Sequence, residues 1–495
     1  MVERVLFEKS SPGRIGYSLS DGEVPERALE ACLPESMLRR KPAALPELSE
    51  PDIVRHYTRL SQMNASIDTN FYPLGSCTMK YNPKVNDLEA SREGFARLHP
   101  LQDAADCQGT LEALGQLQQL LCEICGFEAF SLNPAAGAQG ELTGLLIIRA
   151  YHRGQGEDRK KILVPVSAHG TNPASATLAG LEAVEVPTND RGLVTARAAS
   201  EFMQDDVAGI MMTNPSTYGL FEEEILDVAK VIHDRGGLLY YDGANLNATL
   251  GYARPGDMGF DVCHINLHKT FSTPHGGGGP GCGPVGVTRQ LENFLPVPRI
   301  VQEDGQWRLR TDYPESIGRL GAFQGNVAIA LRALCYIRQL GSEGLQRVSE
   351  SAVLAANYLL QKFKRHFEIP FGERCMHEFV ASAANVKTEG IRAYDIAKRI
   401  LDYGFHSPTV YFPLGVSEGM MVEPTDTESK ETLDAFGEML ERIADEIRTQ
   451  PDLLHQAPTT APVRRLDEVS AARKPVLRWR PPEGAESGGG KGTTA

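Results

Sequence analysis

Short hydrophobic runs and longer amphipathic segments alternate through the middle of the chain. The runs have the length and the apolar composition of buried parallel strands, and they lie near 161–166, 183–186, 208–213, 237–241 and 262–266. The segments between them carry apolar residues at helical spacing. Because strand-like and helix-like segments alternate in order, the pattern predicts an α/β domain.

The two ends of the chain follow other patterns. Residues 1–95 are irregular and proline-rich, with a short helical piece in PDIVRHYTRLSQMN. Long helices at about 324–367 are followed by a strand and by amphipathic helices, the last of which opens with a Thr/Asp/Ser cap. We therefore predict an N-terminal arm (1–95), a large α/β domain (96–335), a small C-terminal α+β domain (336–450) and an extension (451–495) whose glycine-rich end is disordered.

Composition restricts the class of protein. The chain has 495 residues and a formal net charge of −14, which disfavours a nucleic-acid-binding surface because acidic chains repel phosphate backbones. The sequence contains neither an uninterrupted apolar run of membrane-spanning length nor an N-terminal basic segment followed by an apolar core. We therefore expect a cytoplasmic metabolic enzyme with more than one domain.

Lys269 stands between a strand-like segment and a glycine-rich loop in HINLHKTFSTPHGGGGPGCG, residues 264–283. A lysine that forms a Schiff base must be held at the end of a rigid element and partly desolvated, so that its amine can be neutral. Lys269 meets this description better than the other lysines of the chain. The alternative is a surface lysine that simply follows a strand.

Asp242 lies at the carboxyl end of the predicted strand in GLLYYDGAN, 27 residues before Lys269. Ligands of α/β folds bind at such strand ends, and the spacing allows one more strand, so that both side chains can face one pocket. An aspartate and a lysine in this order suit pyridoxal phosphate: the lysine holds the aldehyde, and the carboxylate keeps the pyridine nitrogen protonated. Asp242 can instead be a helix cap or a turn residue.

Two further segments fit the same pocket. In EAFSLNPAAGAQGELTGLLIIRAYH (128–152), a small-residue turn precedes a helix whose N-terminal amides can bind a phosphate near Gly137 and Ala138. In KILVPVSAHGTNPASATLAG (161–180), His169 follows a strand, and its flat ring can cover one face of a cofactor. Such turns also occur for packing alone, and a single histidine often has only a structural role.

Three histidines, His264, His268 and His275, raise the alternative of a metal site, because zinc enzymes use such clusters. No carboxylate lies at a suitable spacing nearby in the sequence, and the cofactor hypothesis already uses His268 and His275 as pocket residues, so we predict no metal. Cys77 and Cys282 lie in loops with small neighbours, where they are either reactive thiols or small polar fillers.

Six motifs together carry a resemblance to a known family. They are PLGSCTMKYNP (73–83), NPAAGAQGE (133–141), SAHGTNPASA (167–176), MMTNPSTYGLFE (211–222), YYDGANLNA (240–248) and NLHKTFSTPHGGGGPGCGPVGV (266–287). From about residue 60 to residue 480 the chain resembles glycine dehydrogenase (decarboxylating), the P-protein of the glycine cleavage system. The resemblance implies an α/β fold of the type I, aspartate-aminotransferase-like class of pyridoxal-phosphate-dependent transferases.

The resemblance also implies roles for individual residues. Lys269 would carry pyridoxal 5′-phosphate, Asp242 would pair with the pyridine nitrogen, and His169 would stack on the ring. His268 is a candidate for proton transfer beside the lysine. The remaining contacts to cofactor or substrate would come from Ala136, Gly137, Ala138, Thr213, Asn214 and Asn245; the last three are less secure, because such strand-end residues are often only turn formers.

The family's reaction and partners become expectations in the same way. Glycine would lose carbon dioxide, and its aminomethyl group would pass to the lipoyl disulfide of the H-protein, whose arm would have room at the glycine-rich loop after Lys269. The chain length and the lysine motif indicate the lysine-bearing second subunit, which would assemble with a companion subunit 1 as a two-plus-two heterotetramer. The rival hypotheses are another pyridoxal enzyme of this fold, such as an amino-acid decarboxylase, a cysteine desulfurase or an aminotransferase, and a non-catalytic scaffold subunit.

Overall fold

The computed structural model describes residues 3–18, 24–41, 43–99, 101–275 and 281–480. The chain divides into one unit of residues 1–65 with 458–495 and a second unit of residues 66–457. The four-part division stays a prediction, and its large and small domains both fall within the second unit. The expected disorder of residues 484–495 and the expected path of the lipoyl arm along residues 276–280 lie outside the described residues.

The described residues form twelve β-strands and fifteen α-helices. The strands are β1 (Ala129–Ser131), β2 (Lys161–Pro165), β3 (Glu182–Val186), β4 (Val207–Met212), β5 (Leu238–Gly243), β6 (Val262–Ile265), β7 (Val285–Val287), β8 (Arg299–Glu303), β9 (Gln306–Arg310), β10 (Phe379–Ser382), β11 (Thr409–Val410) and β12 (Gly419–Val422). The helices are α1 (Leu6–Lys9), α2 (Leu29–Cys32), α3 (Glu50–Gln62), α4 (Lys84–Ala90), α5 (Glu93–Ala96), α6 (Gln108–Cys125), α7 (Gly137–Gly154), α8 (Thr171–Leu178), α9 (Ala196–Phe202), α10 (Ile225–His233), α11 (Val327–Phe363), α12 (Ala393–Asp402), α13 (Lys430–Thr449), α14 (Pro451–Gln456) and α15 (Glu468–Arg473). The five strands predicted in the α/β region are confirmed as β2 to β6.

The large sheet contains seven strands in the order β1-β7-β6-β5-β4-β2-β3. Strands β2 to β6 run parallel, as the alternating pattern predicts, whereas β7 is antiparallel to both of its neighbours. Parallel strands have their carboxyl ends at the same edge of a sheet, and in α/β folds that edge carries the ligand site. The residues that follow β2, β4, β5 and β6 are therefore brought to one edge.

Helices cover both faces of the large sheet. On one face Tyr241 packs in a core with residues of α6, α10 and α11; on the other, Tyr240 packs with residues of α7 and α8. Consecutive residues of a strand point to opposite faces, so these neighbours contribute to different cores. Burial on both faces explains why β5 reads as a continuous apolar run rather than as an alternation.

A second core surrounds a three-stranded antiparallel sheet in the order β10-β12-β11. Helices α12, α13 and the end of α11 pack apolar residues against it. Helix α11 bends at Gly341, whose φ of 62° and ψ of −173° lie outside the helical region, so its beginning and its end reach different cores. The predicted cap of α13 is confirmed, because the Ser429 side chain accepts a hydrogen bond from the Thr432 amide.

The unit of residues 1–65 with 458–495 contains the helix predicted in PDIVRHYTRLSQMN, which is confirmed as α3. The Ser49 side chain caps this helix by accepting from the Asp52 amide. The rings of Phe7 and Trp479 stack with their centres 5.1 Å apart. Within the part of the chain that the structure describes, none of the helices combines the length and the apolar character needed to span a bilayer.

Candidate active site

Four polar side chains gather where strands of the large sheet end. Thr213 follows β4, Asp242 is the fifth residue of β5, and Lys269 comes four residues after β6. His169 follows β2, and both Asp242 and Lys269 contribute to the electrostatic field at its ring. Because β5 lies between β4 and β6 in the sheet, folding brings these predicted site residues to a common edge.

The Asp242 carboxylate is buried, with 3% exposure. It accepts hydrogen bonds from Asn172 Nδ2 at 2.8 Å and from the Ala244 amide at 3.1 Å, and His264 Nε2 lies 3.4 Å from its Oδ1. Burial alone would raise the pKa of Asp242, but the charge of His264 and the hydrogen bond from Asn172 hold that pKa below its usual value. Asp242 is therefore an ionised acceptor inside the protein.

A polar network surrounds Asp242, and the sequence argument gave its members no role beyond the metal-site alternative for His264. The buried Glu141 accepts hydrogen bonds from Thr171 Oγ1 at 2.7 Å and from Ser175 Oγ at 2.8 Å, while His264 Nδ1 lies 2.9 Å from the Tyr240 hydroxyl. Glu141 and Thr171 occur in the quoted motifs NPAAGAQGE and SAHGTNPASA. Polar residues near the starts of the helices that open in those motifs were the signal that could have found them.

Lys269 is half-buried, and its Nζ donates a hydrogen bond to the Ser76 carbonyl oxygen at 2.6 Å. The contact joins two of the six motifs, which are separated by almost two hundred residues. Burial raises the pKa of the neighbouring Cys77 thiol, and the charge of Lys269 only partly opposes this. Cys77 is therefore protonated in this environment, and whether it is a reactive thiol stays an open prediction.

The His169 ring is partly buried beside the end of β2. Its Nδ1 lies 2.9 Å from Thr171 Oγ1, and its centre lies 5.3 Å from that of the Phe412 ring. Burial lowers the pKa of His169, although Asp242 acts in the opposite direction. The ring is therefore neutral near neutral pH, which suits it to lie against another flat ring.

Helix α7 begins at Gly137 after Ala136, which has an extended backbone. The first amides of a helix have no intrahelical acceptor and carry the positive end of the helix dipole. A Cβ at Gly137 would lie 2.5 Å from Asn266 Oδ1, and one at Gly140 would lie 2.6 Å from the Gly283 carbonyl oxygen. The glycines thus allow this helix to start directly against the segments on either side of Lys269. Phosphate binding by Ala136, Gly137 and Ala138 stays a prediction.

The Thr213 hydroxyl is one of several buried polar groups at this edge that lack a hydrogen-bond partner in the described part of the chain; Asn172 Oδ1 and Asn266 Oδ1 are others. Thr213 Oγ1 is inaccessible to solvent and has no hydrogen-bond partner among the described residues. An unpaired buried hydroxyl costs about 1–3 kcal/mol. The hydroxyl therefore lacks a hydrogen bond within the described protein, and the predicted contact of Thr213 with cofactor or substrate stays a prediction.

The two asparagines predicted beside Thr213 have partners within the protein. The Asn214 side-chain oxygen accepts from the Glu222 amide at 3.0 Å. The Asn245 side chain donates to Thr78 Oγ1 at 2.6 Å and to Glu423 Oε1 at 2.8 Å. Their amide groups therefore hold loops, and their predicted cofactor contacts remain untested.

His268 lies beside the loop that follows Lys269. Its Nδ1 is 3.4 Å from the Cys282 amide, and its ring centre is 5.3 Å from that of His275. Burial, together with the charges of Lys269 and His275, lowers the pKa of His268 to about 3, so proton transfer by His268, which stays a prediction, would begin from the neutral ring. Burial raises the pKa of the Cys282 thiol to about 12, as expected for an inert filler.

Two carboxylates of the small sheet also reach this site, and the sequence argument missed them. Glu378 Oε2 accepts from the Ser76 amide at 2.9 Å, and Glu423 Oε2 accepts from the Thr78 amide at 3.0 Å. Glu378 directly precedes β10 and Glu423 directly follows β12. Acidic residues at the ends of short, mostly apolar strands were the available signal.

Two groups of residues have the composition of metal ligands. They are Glu141, Asp242 and His264, and His377, Glu378 and Glu423, and in each group the ligand atoms lie within 4.8 Å of one another. The sequence argument looked for a carboxylate near His264 only by spacing along the chain; folding brings Glu141 and Asp242 to it from other elements. Hydrogen bonds from protein donors already engage the carboxylates in both groups, so neither arrangement requires a metal, and the predicted absence of one stays a prediction.

Comparison with solved structures defines the class of fold. The structure resembles a crystal structure of glycine decarboxylase (P-protein) of the glycine cleavage system with a TM-score of 0.70 and 21% identity, over 84% of this chain and 94% of that one. A cysteine desulfurase from Escherichia coli has a TM-score of 0.59 and 14% identity, over 79% and 98% of the two chains. The protein therefore has the type I fold of pyridoxal-phosphate-dependent enzymes, as the resemblance implied.

Sequence comparisons define the family. The family described as Glycine cleavage system P-protein matches residues 23–306, and Glycine dehydrogenase, C-terminal domain, matches residues 348–460. A probable glycine dehydrogenase (decarboxylating) subunit 2 from Caldanaerobacter subterraneus subsp. tengcongensis is 56% identical over 96% of this chain and 98% of the relative. The protein of the same name from Desulforamulus reducens is 55% identical over 97% and 100%. The chain belongs to the glycine dehydrogenase (decarboxylating) family, and its relatives are second subunits.

Proposed function

We propose that this chain is the lysine-bearing subunit of a glycine dehydrogenase (decarboxylating) and that it binds pyridoxal 5′-phosphate at Lys269. The observation that carries the proposal is that the ionised Asp242 lies near the carboxyl end of β5, while the half-buried Lys269 comes four residues after the carboxyl end of the adjacent parallel strand β6. The family of the chain supplies the reaction, which is the decarboxylation of glycine.

The residues present fit this cofactor. Asp242 is an ionised acceptor for a protonated pyridine nitrogen. Thr213 has an unpartnered buried hydroxyl that can bond to the 3-hydroxyl of the ring, and the neutral His169 can cover a ring face. The first amides of α7, near Ala136, Gly137 and Ala138, suit an anionic phosphate.

The chain's own residues would prepare the site for the reaction. When bound, pyridoxal phosphate withdraws electrons from the bonds at the carbon atom next to the amino group of glycine. Asp242 would hold a proton on the pyridine nitrogen and so maintain that withdrawal. The Ser76 carbonyl would orient the Lys269 amine when glycine takes its place, and His169 would limit the access of water to one face.

The partners follow from the reaction. The bond between the carboxyl carbon and the α-carbon of glycine breaks, a bond from the α-carbon to one lipoyl sulfur forms, and the S–S bond breaks, leaving a thiol on the other sulfur. The disulfide is therefore the oxidant, and no nicotinamide is needed. We assign this lipoyl group to an H-protein, and we expect a companion subunit 1 in a two-plus-two heterotetramer. The cytoplasmic location stays a prediction.

The direct test is an absorbance spectrum of the purified chain before and after borohydride reduction, followed by peptide mapping. We expect a visible band that reduction removes and a label on the peptide that contains Lys269. Exchange of labelled carbon dioxide with glycine, measured with lipoylated H-protein and the companion subunit, then tests the reaction.

The rival hypotheses give different results in the same experiments. A colourless chain that does not bind added pyridoxal phosphate, even with the companion subunit, would support a scaffold. A chain labelled at Lys269 that acts on another amino acid and not on glycine would instead be a different pyridoxal enzyme of this fold.

Replacing Thr213 with valine separates cofactor binding from folding. The variant removes an unpartnered buried hydroxyl, so we expect the cofactor-free chain to be at least as stable as the wild type, while the affinity for pyridoxal phosphate falls by about tenfold through the loss of one hydrogen bond. Thermal unfolding and cofactor titration measure the two effects.

Thr110 provides the matched control for Thr213. Its hydroxyl is likewise buried and without a partner in the described part of the chain, but it lies in the first turn of α6. Thr110→Val should leave the affinity for pyridoxal phosphate unchanged. Equal affinities of the Thr213→Val variant and the wild type would remove Thr213 from the cofactor site.

A further inference from the structure

Two carboxyl groups face each other at one end of the small sheet. Strands β10 and β12 pair with Phe379 opposite Val422, so the same register places Glu378 opposite Glu423. Both side chains are buried, with 5% and 0% exposure, and their nearest ligand atoms lie within 4.8 Å. Two negative charges so close together in a buried position repel, and one carboxyl group is expected to keep its proton.

Hydrogen bonds distinguish the two groups. Glu423 accepts from Thr78 N–H (3.0 Å), Thr78 Oγ1 (2.7 Å), Asn245 Nδ2 (2.8 Å) and Asn247 Nδ2 (3.4 Å). Glu378 accepts from the Ser76 amide at 2.9 Å. Donors favour the charged form of a carboxyl group, so Glu423 is the carboxylate and Glu378 the neutral acid. In agreement, burial and the charge of Glu423 raise the pKa of Glu378 well above its usual value.

Both groups hold the same turn, residues 75–78. Ser76 and Thr78 have φ angles of 63° and 49°, in the left-handed region that costs energy for residues with a Cβ. Glu378 holds the Ser76 amide and Glu423 holds the Thr78 amide. In this conformation the Ser76 carbonyl accepts the hydrogen bond from Lys269. A continuous set of contacts therefore joins the small sheet to the lysine.

We propose that Glu378 and Glu423 are positioning residues for Lys269. The neutral Glu378 and the charged Glu423 hold turn 75–78 in the conformation in which the Ser76 carbonyl orients the lysine amine. The functional meaning rests on the assignment of Lys269 as the cofactor lysine. A neutral Glu378 also avoids a second negative charge near Lys269, which would favour the ammonium over the reactive amine.

The test is the rate at which acetic anhydride acetylates Lys269 in the cofactor-free, full-length chain, measured by mass spectrometry. In Glu378→Ala the Ser76 amide loses its acceptor, and we expect Lys269 to react about threefold to tenfold faster, because the Ser76 carbonyl no longer holds its amine in a hydrogen bond. In Glu378→Gln the side-chain oxygen still accepts from Ser76 and no charge changes, so the rate should stay within about twofold of wild type.

Glu423→Gln provides the contrast, since it removes a charge and one of two acceptor oxygens that serve four donors. We expect its Lys269 to react about threefold to tenfold faster, as in Glu378→Ala. The exposed Lys160 serves as the internal reference. The buried Lys80 reports on folding, because it stays unmodified in a folded chain.

The outcomes are distinct. Faster acetylation of Lys269 in Glu378→Ala, with a rate near wild type in Glu378→Gln, supports the proposal. If Lys80 becomes modified in Glu423→Gln, that variant is misfolded and the two Glu378 variants alone test the proposal. Equal acceleration in the two glutamine variants would overturn the neutral state of Glu378, and unchanged rates in all variants would overturn the positioning role. Acetylation requires no cofactor, so failure here differs from failure of Lys269 to bind pyridoxal phosphate, which the borohydride experiment reports.

Discussion

Replacing Lys269 with alanine is expected to abolish covalent retention of pyridoxal phosphate and to lower glycine decarboxylation by about a thousandfold or more, as removal of a covalent catalyst does. The fold should remain, because the side chain is only half-buried and, among the described residues, its hydrogen bond goes to Ser76. The loss of that bond is expected to cost about 1 kcal/mol of unfolding free energy. Borohydride trapping, carbon dioxide exchange and thermal unfolding measure the three effects.

Lys160→Ala is the control, because its exposed side chain pairs with Asp158 at the surface. This variant should retain the cofactor band and the reaction rate. A Lys269→Ala chain that still held reducible cofactor would contradict the assignment. The first residue to consider would then be Lys80, whose buried ammonium bonds to Asn247, Tyr336 and Asp426.

Replacing Asp242 with asparagine is expected to slow glycine decarboxylation by about a hundredfold, the size of effect seen when one preorganised electrostatic group is lost. Asparagine keeps the shape and one acceptor oxygen, but it has no charge to hold a proton on the pyridine nitrogen. Lys269 remains in place, so we expect the cofactor to stay covalently attached. The absorbance spectrum should therefore still show the bound cofactor, while the rate of carbon dioxide exchange falls.

Asp261→Asn provides a matched control, because Asp261 lies directly before the neighbouring strand β6, at the end of that strand away from Lys269. Asp261 is also buried and accepts a hydrogen bond from the Leu239 amide at 2.8 Å. Its charged partner is His233 rather than a group of the candidate active site. We expect this variant to lose about 1–3 kcal/mol of stability without loss of rate per folded molecule. A similar fall in the rate per folded molecule for both variants would mean that the loss is not specific to Asp242, and it would contradict the pairing of Asp242 with the pyridine nitrogen.

The middle of the central sheet was predictable because β2, β4, β5 and β6 are buried on both faces. Strands β2 and β4 to β6 read as apolar runs, and the side chains that follow them stood out as polar residues. Asp242 and Lys269 could therefore be placed at strand ends before the fold was known. The antiparallel direction of β7 could not be predicted, because a run of three residues, Val285–Val287, carries no sign of its direction.

The remaining part of the site was less predictable because it depends on side-chain partners. Asn214 and Asn245 lie at strand ends, yet their amides hold Glu222, Thr78 and Glu423. Thr213, which has the same kind of position in the sequence, has no partner among the described residues. Sequence position alone does not distinguish a polar group that closes a loop from one that is left for a ligand.

The sequence by itself determined the α/β class, the strand ends that carry Asp242 and Lys269, and the family resemblance, because hydrophobic periodicity and motifs are local properties of the chain. Only the tertiary structure decided which distant groups meet. Glu378 and Glu423 come to Ser76 and Thr78 from the other end of the chain, and His264 comes to Asp242 across neighbouring strands. Those contacts depend on strand register and on the burial of charge, which exist only when the sheets have formed.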